Sequence, residues 1–247
     1  MGHLAENIMS VALGMPEGSM MSAKDFLNLG SSAAINNTLS RLAQDGRLLR
    51  VSRGAYVRLH QGRFGVRPPS TESVLQSIEA RRGETIVAHG AAEANALRLT
   101  TQVPIREVFF TSGPSRILHL GSRCVELKHA SRWQLLLGTR PAGQVIRALA
   151  WLGPEAAPAA LKQLHSRLPE AEWEAVCGAR AALPSWMAKL ISIGVCRVSD
   201  KADERTREGL ADVDAGRVVD HQLVEAWAAS LLADVQLPVP GLNQGDE

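Results

Sequence analysis

Cysteine and aromatic residues are scarce in this chain, and no long uncharged apolar run occurs in it. Cys124, Cys177 and Cys196 are odd in number, far apart and free of any C-x-x-C spacing. That excludes a disulfide frame and a paired-cysteine zinc site, and it predicts small buried thiols in a reducing compartment. No uncharged apolar stretch approaches the ~18 residues of a membrane-spanning helix. The first residues carry no basic segment followed by a long apolar run, so no signal peptide is expected and a bacterial cytoplasm is the expected location. H-E-x-x-H, a Walker loop, G-x-S-x-G and the kinase signatures are all missing. Motif spacing therefore offers little support for catalysis, and no cofactor or metal is expected. Its one tyrosine, Tyr56, sits in an apolar strand pattern and is read as core.

What is present is unevenly placed. The chain has 247 residues and a net charge of only +2. Residues 1–70 hold eight Lys/Arg against four acids, a net +4, whereas residues 197–247 hold five against eleven, a net −6. A basic head and an acidic tail suggest two different partners.

The basic head is organised. Leu4, Ile8, Val11 and Ala12 have helical spacing, and Pro16 to Gly18 end that helix. Ser22 can cap a short helix that Gly30 closes. Ser31 or Ser32 can cap the next one, with an apolar stripe of Ile35, Leu39, Leu42 and Ala43 and a stop at Asp45-Gly46. Residues 48–51 and 55–59 then look like strands joined at Ser52-Arg53-Gly54, where Gly54 supplies the turn. Helix, turn, helix and basic hairpin form the outline of a winged helix-turn-helix over residues 22–59.

Residues 61–70, rich in Gly, Pro and Arg, are expected to be a linker. Beyond them the pattern is α+β: a helix from Thr71 or Glu72 to about Arg82, a strand over 86–89, a helix over 91–99, and strands over 107–111, 116–120 and 124–129. Gly and Pro at the turns suggest that the last three form an antiparallel meander. Ala/Leu-rich helices follow, with Pro141, Pro154, Pro169 and Pro184 at their boundaries. The expected organisation is a winged helix over 1–60, the linker, an α+β domain over 71–196, and an acidic, partly extended helical tail over 197–247.

Burying Ile35, Leu39 and Leu42 turns Ser32, Ala33, Asn36, Asn37, Ser40 and Arg41 outward, and residues 36, 37, 40 and 41 form one i, i+3/i+4 patch. Asn can pair bidentately with adenine and Arg with guanine in the major groove. Ser31 and Ser32 at the helix N-terminus suit phosphate. Arg50, Arg53 and Arg58 on the hairpin could meet backbone or minor groove. Duplex DNA is the expected partner of this head. In the tail, Leu223, Val224, Trp227 and Leu231 share one face of a short helix. With Leu210, Val213 and Val219 they are the candidate contacts for a protein partner. Other groups carry weaker chemistry: His89 and Glu93, His119 and His129 on separate strands, and the turn 111–116 as an anion cradle. Each has a plainer structural role available.

The stretches DFLNLGSSAAINNTLSRLAQDGRLLRVSRGAYV (25–57), HGAAEANALRLTTQVP (89–104) and FFTSGPSRILHLGSRCVELKHA (109–130) resemble the AbiEi-like antitoxins of bacterial toxin–antitoxin systems. IRALAWLG (146–153) and PSWM (184–187) extend that resemblance. It implies a winged helix on the operator of the chain's own operon. It further implies an α+β domain linked to neutralising an AbiEii-like nucleotidyltransferase, and an antitoxin that is not an enzyme. ERTREGLADVDAGRVVDHQLVEAWAASL (204–231) is similar instead to the C-terminal half of ParD/CopG-type antitoxins, which wraps a RelE/ParE-like toxin. The expectation is an autorepressing antitoxin with no membrane partner, for which a palindromic operator would call for a homodimer on DNA. The rival expectations are a ligand-responsive winged-helix repressor and a nuclease in the α+β domain.

Overall fold

A computed structural model describes residues 2–63, 65–194, 208, 210, 211, 213, 215 and 221–230. The chain divides into two compact units, Met1–Lys189 and Leu190–Glu247. Its class is α+β, as expected from sequence.

The first unit begins with α1 (Gly2–Gly14), a 3-10 turn (Ala23–Phe26) and α2 (Ser32–Gln44). Strands β1 (Leu48–Ser52) and β2 (Ala55–Arg58) pair antiparallel, and Met21 bridges to Tyr56 as a third, one-residue edge. Gly54 has φ +70°, the left-handed geometry that the tight turn needs and that glycine adopts without strain. The helical stripe follows its spacing: Ile35, Leu39 and Leu42 are buried with Ile8, Phe26, Leu48 and Tyr56 in one cluster. Each large side chain so buried contributes about 1.5–3 kcal/mol.

The β1–β2 hairpin is covered on both faces. Leu48 and Tyr56 join the helical cluster. Val51, Ala55 and Val57 join a second cluster with Val74, Ile78, Leu118 and Leu127. Residues 1–60 and 74–127 therefore share a core, and the Met20 N–H donates to Ser77 Oγ at 2.8 Å across the same seam. The expected linker, residues 61–70, is corrected: it holds most of a second hairpin, β3 (His60–Gly62) with β4 (Gly65–Arg67).

Then come α3 (Thr71–Arg82), β5 (Ile86–Ala88), α4 (Gly90–Ala96), β6 (Glu107–Thr111), β7 (Arg116–Leu120) and β8 (Arg123–His129). Ser70 caps α3 by accepting from the Ser73 N–H, and Gly83 ends it in the left-handed region. The expected meander is corrected. The sheet order is β5-β6-β8-β7, and β6 pairs with β8 in parallel. The link 112–115 passes round the end of β8, where the His129 N–H donates to Ser115 Oγ and the Ala130 N–H to the Thr111 carbonyl. Periodicity fixes which face of a strand is buried but not which neighbour it pairs with.

The helical half consists of α5 (Pro141–His165), kinked at Gly153, then α6 (Glu170–Ala179) and α7 over residues 185–194. Pro141 opens α5, Pro154 follows the kink and Pro169 caps α6, so these three stand where a missing donor costs least, whereas Pro158 lies inside α5. In the second unit α8 (His221–Ser230) is described. No helix among the described residues is long and apolar enough to cross a membrane.

The expectation of buried cysteines is corrected. Cys124 is exposed, with Sγ 3.5 Å from His119 Nδ1, and Cys177 is half-buried. Val125 and Leu127 take the core side of β8, so strand alternation turns Cys124 outward. Cys196 lies outside the described residues.

Candidate nucleic-acid interface

Helix α2 presents the patch that its sequence outlines. Ser31, Ser32, Asn36, Asn37 and Arg41 are exposed, and Ser40 is half-buried. Ser31 is the N-cap: its Oγ accepts from the Ala34 N–H at 3.3 Å. Asn36 Nδ2 donates to Ser32 Oγ at 3.4 Å, a long bond across one turn that a base edge could replace. Thr38 faces inward and satisfies its hydroxyl on the Ala34 carbonyl at 2.8 Å. The outward patch is thus the amides of Asn36 and Asn37, the Arg41 guanidinium and small residues, on a helix fixed by its buried stripe.

The hairpin divides the three arginines. Arg53 is exposed at the turn and Arg50 is exposed on β1 opposite Tyr56. Arg58 is half-buried opposite Leu48, and its Nε is buried without a hydrogen-bond partner. Both faces of the hairpin carry buried core residues, so what it leaves exposed is its turn and Arg50. The second hairpin is exposed throughout β4 and brings Arg63 to its turn. Arg67 Nη2 stands 3.6 Å from Glu17, and His60 Nδ1 stands 3.7 Å from the same carboxylate. Arg63 and Arg67 escape a reading by sequence because they fall within a segment of linker composition.

Lys24, Arg81 and Arg82 escape it too. They converge with Arg53 on one cleft of about 290 Å³. Asp25 stands at its margin, held 2.9 Å from Arg81 Nη2 and accepting the Ser22 N–H at 2.7 Å. Burial raises the Asp25 carboxyl, but the Ser22 backbone bond and Arg81 outweigh that and hold it below its ordinary value.

The candidates for catalysis are dispersed. His119 pairs with Cys124 at one end of β8 and His129 with Thr111 at the other, so the two histidines do not meet. His129 Nδ1 contacts the Gly113 carbonyl at 3.0 Å. The turn 111–116 spends its polar groups internally: the Gly113 N–H donates to Thr111 Oγ1, and Arg116 binds Glu84 at 2.6 Å. His89 caps α4 by accepting the Ala91 N–H, and burial pushes its imidazole below the usual range. Glu93 turns away to a buried pair with Arg147 at 2.7 Å. No group of three or more His, Cys, Asp or Glu among the described residues could hold a metal ion.

In the second unit, Leu210, Val213, Leu223 and Val224 are exposed and Trp227 is half-buried. Val219 and Leu231, also expected as protein contacts, lie outside the described residues.

Residues 7–170, about two thirds of the chain, match the model of DUF6088, a family of unknown function, and the chain belongs to that family. No curated protein and no solved structure matches it.

Proposed function

We propose that this DUF6088 member is the antitoxin of a bacterial toxin–antitoxin system. On this proposal it binds its own operator as a winged helix, represses its operon and neutralises a cognate toxin from the acidic end of the chain. The observation that carries the DNA half is the outward face of α2. Asn36, Asn37 and Arg41 stand exposed on a helix whose opposite stripe is fully buried, and Arg53 stands exposed at the β1–β2 turn. The order α1, bridge residue Met21, 3-10 turn, α2, β1 and β2 supports this reading, in which α2 would take the place of the recognition helix. Amides and guanidinium would meet base edges, while Arg50, Arg53 and the exposed Arg63 would meet phosphates.

The toxin half rests on charge and on apolar exposure. Residues 197–247 carry a net −6, and α8 exposes Leu223 and Val224 on one side. An acidic segment with an apolar stripe suits a basic partner, and RelE/ParE-like toxins are of that kind. A nucleotidyltransferase-like toxin is the alternative partner within the same proposal. The test has two arms. The full chain is titrated against duplex DNA from upstream of its reading frame, and it is co-expressed with the product of the neighbouring frame. Tight, sequence-dependent duplex binding together with rescue from a toxic neighbour supports the proposal. A neighbour that is harmless alone, or duplex binding with no sequence preference, overturns it. A ligand-responsive repressor with no toxin is the second reading, and the cleft at Lys24, Arg53, Arg81 and Arg82 favours it.

A further inference from the structure

Four cations from three distant segments meet on one cleft. Lys24 comes from the 3-10 turn, Arg53 from the β1–β2 turn, and Arg81 and Arg82 from the last turn of α3. Bringing like charges together costs free energy unless an anion offsets them. Two carboxylates do so in part. Asp25 takes Arg81, and Glu84 lies 3.7 Å from Arg82 while its stronger bond goes to Arg116 at 2.6 Å. Lys24 and Arg53 have no carboxylate partner among the described residues. With Asp25 and Glu84 both counted against the four cations, two positive charges remain.

The geometry is prepared for an anion. Asp25 receives only Nη2 of Arg81, at 2.9 and 3.0 Å to its two oxygens. Among the described residues nothing takes Nε or Nη1 of that guanidinium. Asp25 thus holds Arg81 in place and leaves most of its fork open, the arrangement that recognises phosphate oxygens. Basic residues in the last turn of α3 would by themselves answer the helix dipole. That role does not explain why Lys24 and Arg53 arrive at the same place from other elements. The base of the cleft is apolar, with Met20 and Ile78 both buried. Its volume of about 290 Å³ exceeds what a bare phosphate fills and stands at the lower edge of small-molecule sites.

We propose that this cleft is a phosphate-binding site, in which Lys24, Arg53, Arg81 and Arg82 take the phosphate group of a small phosphorylated molecule or of a duplex backbone. The site does not depend on the α2 surface. A small ligand here would occupy Arg53, one of the residues assigned above to DNA, and so would couple ligand and operator binding.

The probe is inorganic phosphate added to the full-length protein at constant ionic strength, with chloride as the matched control, followed by calorimetry and thermal shift. Saturable binding is expected, and the double variant K24Q/R82Q is expected to weaken it at least tenfold. Neither substitution touches the Arg81–Asp25 pair, so an unchanged circular dichroism spectrum is expected and keeps the test readable. No saturable binding beyond the chloride control, or equal binding by K24Q/R82Q, overturns the proposal. A duplex arm names the source. Loss of generic-duplex affinity along with phosphate binding in K24Q/R82Q identifies a backbone contact. Loss of phosphate binding with generic-duplex affinity unchanged identifies a small-molecule site. Loss of duplex binding in N36A/R41A with phosphate binding intact separates failure of this site from failure of the operator proposal.

Discussion

Replacing Arg147 by Met tests how α4 and α5 are held together. The Arg147 side chain is completely buried, and Nη2 and Nε donate to Glu93 Oε1 at 2.7 and 3.2 Å. Arg147→Met keeps most of the volume and removes the charge, leaving the buried Glu93 carboxylate unpaired. Breaking a buried pair from one side costs about 3–5 kcal/mol. At roughly 2–4 °C per kcal/mol for a unit of this size, the melting temperature should fall by about 6–20 °C at pH 7. The deficit should depend on pH. Burial already pushes the Glu93 carboxyl above its usual 4.5, against the pull of Arg147, and removing Arg147 pushes it further. A carboxyl raised in the folded state favours folding below its unfolded pKa, and that contribution is lost as pH rises through the folded value. The variant should therefore come closest to the wild type near pH 4.5 and fall behind it as pH rises. Replacing both partners, as Glu93→Leu with Arg147→Met, should recover most of the loss. Urea melts of the three proteins between about pH 4.5 and 7.5 read this directly. A single variant within about 1 kcal/mol of wild type at pH 7, or a double variant no better than the single, would refute the reasoning.

Further outcomes follow from the same geometry. Gly90→Ala should destabilise by about 1–3 kcal/mol in thermal melts, because its Cβ would stand 2.4 Å from the Arg147 carbonyl oxygen and 2.7 Å from Trp151 Cβ. Asp25, whose folded pKa is lowered, should add stability above its unfolded value of 3.8 and lose it as pH falls through the folded value; Asp25→Asn should flatten that acid limb in pH-dependent melts. Arg53→Ala should weaken all duplex sequences alike and reduce the salt slope by about one phosphate contact. Deleting residues 198–247 should abolish toxin neutralisation in co-expression while leaving duplex affinity within about twofold.

Local rules make much of the fold legible. Helix α3 spans the stretch that its sequence outlines, with Ser70 and Gly83 at its ends, and the stripe of Ile35, Leu39 and Leu42 is the buried face of α2. The outward face of α2 follows from the same stripe, so helical spacing alone identifies Asn36 and Arg41 as surface residues. Three features are not legible in the sequence, each because it depends on contacts distant along the chain. The parallel pairing of β6 with β8 leaves no mark in alternation. The covering of both faces of the β1–β2 hairpin needs the second cluster, to which α3 and the four-stranded sheet contribute. The cleft assembles residues 24, 53 and 81–82, which no motif connects. The exposure of Cys124 is within reach of sequence, since Val125 and Leu127 already claim the core face of β8. The expectation of a buried thiol weighs residue type above strand period.

The central claim is that the outward face of α2 reads base edges, and duplex footprinting of N36A and R41A on the DNA upstream of the reading frame tests it most directly. Each substitution should cost about 1–3 kcal/mol on the native site and relax preference at one base position, with little change on random duplex. Footprints and affinities identical to wild type in both variants would contradict it.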